Sequence, residues 1–170
     1  MRKLLLALCV FAAVLLDYLI FPRLGLARIA PDALIALLVS LSVLTGLLPA
    51  VPIAAALGLL LDIGFNRFIG MSAVPLFVSA LAGSAFYGRF YADNIIIPAV
   101  TAAAAAFFKE LFLLAALMLY GGKTAGYLAL FALHILPVSL LTGALCALVH
   151  LLFKRYLLRS SFRLDIDYFR

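Results

Sequence analysis

Six long apolar runs, residues 4–21, 31–48, 49–65, 71–87, 95–120 and 127–153, fill this chain almost from end to end. Each is near or above the roughly 20 residues with which an α-helix crosses a bilayer core of about 30 Å. A hydrophobic share of 68% and a mean hydropathy of +1.28 exceed what water-soluble domains carry. In lipid the backbone must satisfy its own hydrogen bonds, which continuous runs of this length do by forming helices. The expected fold is all-α: a polytopic membrane protein with a bundle of about six transmembrane helices over residues 1–153 and a basic, aromatic cytoplasmic tail over 154–170. The loops leave no room for a soluble catalytic domain.

Breakers divide the runs. Pro22, Gly25 and Pro31 punctuate the first loop, and Pro31-Asp32 opens the second helix with a fixed φ followed by an acid at the positive dipole end. Thr45-Gly46 and the stretch from Pro49 to Pro52 separate the second and third runs, as a tight hairpin or a broken helix. Residues 1–21 have the outline of a signal peptide, but the run is long and Asp17 interrupts it, which favours a retained first helix. With the N-terminus inside, the cytoplasmic side carries eight Lys and Arg, at positions 2, 3, 89, 154, 155, 159, 163 and 170, against Arg23, Arg28, Arg67 and Lys123 outside. That asymmetry places both termini in the cytoplasm.

The net charge of +6 collects at chain ends and helix boundaries, so it points to anionic lipid headgroups and not to nucleic acid. Tyr87, Tyr91, Tyr120, Tyr127 and Tyr156 fall at run ends, where amphipathic rings anchor in the headgroup layer. Residues 163–168 alternate polar with apolar and could pair as a strand with a cytoplasmic partner. Cys9 and Cys146 lie inside apolar runs and read as small fillers.

The chain has only 13 basic and 7 acidic residues, and four of them, Asp17, Asp62, Lys109 and Glu110, lie inside the apolar runs. A charge there needs a partner, water or neutralisation. Counting about 1.5 Å per residue from the cytoplasmic starts puts Asp17, Asp62 and Lys109 at one depth, about 18 to 21 Å in. These four residues are therefore expected to form an intramembrane polar cluster, with His134 beside it. Lys109 and Glu110, being adjacent, point about 100° apart on a helix, so each implies its own neighbour, and an Asp is the natural one for Lys109. The alternative is separate structural pairs, such as Asp62 with Arg67.

No catalytic, cofactor-binding or metal-binding pattern stands out. There is no H-E-x-x-H, P-loop or G-x-S-x-G, and His134 and His150 are too far apart in sequence for a local ligand pair. Neither an enzyme nor a cofactor is expected. Small residues at Ala54/Gly58, Ser79/Gly83 and Gly143/Ala147 allow close helix packing, within the bundle or across a homodimer.

The order of motifs, Phe21-Pro22-Arg23-Leu24, then Pro31-Asp32, then Gly58-Leu59-Leu60-Leu61-Asp62 and Gly70, resembles the MreD family of rod-shape-determining membrane proteins. Length and helix count match over nearly the whole chain, and the specific part runs from about residue 21 to 83. By that resemblance Asp32, Gly58, Asp62 and Gly70 are the family's recurrent positions, and Glu110 fits its habit of an acid in the fifth helix. Asp17 departs from the family, which more often has an amide there. The resemblance implies a fold similar to the S-components of energy-coupling-factor transporters. It also implies a non-enzymatic scaffold of the bacterial elongasome, in the inner membrane, that binds MreC through its transmembrane helix. MreB, RodA and the elongation transpeptidase would complete the assembly that serves peptidoglycan synthesis and regulation of cell shape. The residues alone also allow another function, a transporter subunit that binds a small molecule at the polar cluster.

Overall fold

The computed structural model describes residues 2–23, 29–65, 69–87, 94–119 and 131–157. They form six helices, and among the described residues there is no β-strand. Helix α1 is Arg2–Leu15, continued by a π-helical stretch Leu16–Ile20 and a last turn Phe21–Arg23. Helix α2 is Ala33–Thr45, α3 is Leu47–Phe65, α4 is Ala73–Ser84 and α5 is Ile96–Leu119. Helix α6, Leu136–Leu157, is entered through a second π-helical stretch, Phe131–Ile135. Each π stretch ends two residues before a proline, Pro22 and Pro137. A proline lacks the N–H and crowds the carbonyl four residues back, and a widened turn relieves both.

The all-α expectation holds, while the helices are less uniform than the six runs. Among the described residues two segments, Ile96–Ala116 and Leu133–Phe153, are long and apolar enough to cross a membrane. With 13 and 12 residues, α2 and α4 extend only about 20 and 18 Å. The second run loses its start to Asp32, which is extended (φ −86°, ψ 100°), and its end to Gly46, whose φ of +85° stops the helix. That single glycine is the whole break between the second and third helices. Pro49 and Pro52 lie inside α3, Pro49 in the first turn, where a missing N–H is harmless. Helix α6 continues to Leu157, past the expected start of the tail at 154, since nothing there breaks it. Residues 158–170, with the alternating stretch 163–168, lie outside the described residues, as do Arg67, Tyr91, Tyr120 and Tyr127.

Helix α2 sits at the centre and touches all five others. Residues 33–43 are buried without exception, which suits a helix that is apolar on every face. Its two serines are satisfied inside: Ser42 Oγ donates to Val39 O at 2.9 Å, and Ser40 Oγ lies 3.2 Å from Nδ1 of the fully buried His150 on α6. The surrounding helices turn large apolar side chains outward, among them Phe11, Leu60, Ile63, Ile96, Val100 and Leu140, each more than 60% exposed. The small residues pack within this chain. A Cβ added at Gly83 would stand 1.9 Å from Ser42 Oγ, and one at Gly143 would stand 2.8 Å from Ala99 O.

Candidate functional site

Two helix N-termini inside the bundle are capped by carboxylates from the preceding helix, and the candidate site is built around one of them. The first N–H groups of any helix lack intrahelical acceptors and carry the positive end of its dipole. At α2, Asp32 is the N-cap and its Oδ1 accepts from Ile35 N–H at 2.9 Å. Asp17, presented by the π turn of α1, accepts from Ala33 N–H and Leu34 N–H through its two oxygens, each at 2.9 Å. The N–H of Asp32 donates to Thr142 Oγ1 on α6 at 2.9 Å, and that hydroxyl donates to Val138 O at 2.8 Å. Lys109 on α5 completes the group by an ion pair and hydrogen bond to Asp32 Oδ2. Four helices therefore meet at the start of α2.

Asp62 performs the same service for α4. Its carboxylate accepts from Gly70 N–H at 2.6 Å, Ser72 N–H at 2.7 Å and Ala73 N–H at 3.1 Å. Ser72 stands at the N-cap of α4 but makes no side-chain cap of its own, so Asp62 takes that role from α3. Gly58, one turn before Asp62, lets the chain come close enough, because a Cβ there would lie 2.4 Å from Ala73 Cα. Gly70 closes the turn with φ +106°, a conformation that favours glycine. Gly58, Asp62 and Gly70 thus form one lock between α3 and α4.

The structure regroups the four residues expected to cluster. Asp17 and Lys109 do come together, with Asp32 as the third member. Asp62 faces the 70–73 backbone and reaches the group through Ser72, whose Oγ lies 3.3 Å from Tyr18 Oη and which lines a shared cavity with Asp17, Asp32 and Lys109. The physical reason is that an unsatisfied helix start competes with a lysine for a carboxylate, here by aiming three backbone N–H groups at its two oxygens. Glu110, turned away from Lys109, pairs with His134, Oε2 to Nε2 at 3.5 Å. Asp32 reads in the sequence as a helix start alone, and its second partner lies 77 positions away, beyond any local pattern.

Two cavities, each of about 230 Å³, flank the Lys109–Asp32 pair and share Asp17, Asp32 and Lys109 as walls. One continues to Tyr18, Met71 and Ser72. The other continues to Phe21, Pro31, Glu110 and His134. Among the described residues no group of three or more His, Cys, Asp or Glu side chains is placed to hold a metal ion. The arrangement can tie helices together and can accept a small polar guest beside the ion pair. Comparison with family models, with curated proteins and with solved structures gives no match for the chain.

Proposed function

We propose that the protein is a non-enzymatic membrane scaffold of the bacterial cell-elongation complex, of the kind the MreD resemblance implies. In this reading it crosses the inner membrane several times with both termini cytoplasmic, binds MreC by helix contact, and links MreB to peptidoglycan synthesis. One observation carries the proposal: Asp32, Gly58, Asp62 and Gly70, the positions of the resemblance, all serve helix-to-helix fastening. Recurrent residues used for rigidity suit a platform for partner helices better than a reaction centre. The outward-facing apolar side chains around α2 support a lipid setting, since water-soluble monomers rarely expose large contiguous apolar patches.

The test is co-expression with an MreC-type protein and recovery by a tag on either one. Wild type should copurify with it, and Asp62→Leu should reduce recovery and abolish rod shape. Equal recovery and normal rods with Asp62→Leu would refute the scaffold reading. The two cavities beside the ion pair favour a second reading, a solute-binding subunit of a transporter, which predicts a retained metabolite or thermal stabilisation by one.

A further inference from the structure

Both π-helical stretches carry an ionisable residue, Asp17 in the first and His134 in the second, and both residues line the cavity that also meets Lys109 and Glu110. In the first stretch the Phe21 N–H reaches back five residues, to Leu16 O, so the turn is wider than an α-helical one. Widened turns of this kind occur mostly as single bulges inside α-helices, and frequently at functional sites. Here two of them, from opposite ends of the sequence, deliver polar side chains to the same space.

By formal charge the walls hold more acid than base: Asp17, Asp32 and Glu110 face Lys109 and His134, Lys109 is already bonded to Asp32, His134 is a cation only when protonated, and Asp17 and Asp32 are offset in part by the N–H groups at the start of α2. Glu110 is 17% exposed and Asp32 8%, so water screens this excess poorly and a compact cation gains more from it than in bulk solvent. A bare metal ion lacks its ligand set here, and Phe21, Pro22 and Val138 make part of the wall apolar. The volume of about 230 Å³ holds several heavy atoms, a water in the liquid taking about 30 Å³.

We propose that this cavity binds a small organic ammonium ion, a primary amine on a short apolar body. The ammonium, with three donors and no acceptor, faces Asp17 and Glu110, and the body lies against Phe21 and Val138. This deepens the solute-binding reading and is independent of the scaffold one.

The test uses the full chain purified in detergent and follows thermal unfolding with n-butylammonium chloride. Sodium chloride at equal ionic strength, 1-butanol and sodium butyrate serve as controls. The melting temperature should rise with butylammonium and with none of the controls. Glu110→Gln should weaken the apparent affinity about 10- to 100-fold, as loss of a hydrogen bond to a charged group does. Ala30→Leu, which fills the cavity without touching a charge, should abolish the response and decides the matter if Glu110→Gln does not fold. No response to butylammonium beyond sodium chloride, or an unchanged response in both variants, overturns the proposal. A response to butyrate or butanol instead overturns the ammonium assignment while leaving a solute-binding subunit standing.

Discussion

Replacing Asp62 by Leu strips three backbone N–H groups of their acceptor at once, and its consequence can be worked out from the contacts. Each buried donor left unsatisfied costs about 1–3 kcal/mol, and with Ser72 buried and Gly70 and Ala73 part-buried the three together reach at most about 3–9 kcal/mol. Against this, the fully buried carboxylate no longer has to be desolvated, a relief of several kcal/mol in real proteins. From the middle of both ranges the net loss is about 3 kcal/mol. Asp62→Asn separates the two effects, because its amide oxygen, placed where Oδ2 now stands, still accepts from Gly70 and Ala73. Its NH2 group then faces the Ser72 N–H, now 2.7 Å from Oδ1, and cannot accept from it. One bond is lost instead of three, and about 1–3 kcal/mol is expected. Thermal unfolding followed by fluorescence-detected size exclusion in detergent measures both, with about 2–4 °C per kcal/mol for a chain of this length. The expected order of melting temperature is wild type, then Asn, then Leu. Leu as stable as Asn would show that the carboxylate is not holding the start of α4, and the account of the Gly58–Asp62–Gly70 lock would fall with it.

Further outcomes follow from the same contacts. Lys109→Met should destabilise by about 3–5 kcal/mol, the cost of leaving a buried acid without its partner, and adding Asp32→Asn should recover part of that loss in a double-mutant cycle of unfolding midpoints. Thr142→Val keeps the shape but removes the acceptor for the Asp32 N–H, for a loss of about 1–3 kcal/mol by the same assay. Gly83→Val drives a side chain into Ser42 and the Val39 carbonyl, so it should cost at least the roughly 1–3 kcal/mol of an overpacked core and lower the yield of folded protein. Gly70→Ala retains the volume of the turn but opposes φ +106°, and a loss of about 1–3 kcal/mol in unfolding free energy is expected.

Much of this architecture was open to reading in the chain itself, and the rest was hidden for identifiable reasons. The helices follow from apolar runs and from breakers, and Pro31-Asp32 marks the start of α2 to within two residues. The shortness of α2 was not visible, because Thr45, Gly46 and the prolines after it offered several places to stop, and only the φ of Gly46 decides among them. The need of Lys109 for an Asp was legible from the cost of a charge in an apolar run. Which Asp it finds depends on packing between α2 and α5, on which sequence spacing is silent. The depth of Asp62 matches that of Asp17 and Lys109, whereas the donors at 70–73 that it serves are backbone groups and leave no mark in composition. The π turns had a signal after all, in prolines placed just beyond Asp17 and His134.

The enclosure of α2 also bears on the order in which the protein is made. Asp17 emerges from the ribosome 16 positions ahead of Ala33, so a carboxylate is waiting when α2 forms. Lys109 follows 77 positions after Asp32, and Thr142 only after 110. Until those late helices arrive, the innermost segment is packed by α1, α3 and α4 alone and holds an acid without its cation. A chain truncated after α4 should therefore be a sticky, protease-sensitive species, and the arrival of α5 and α6 is what encloses α2.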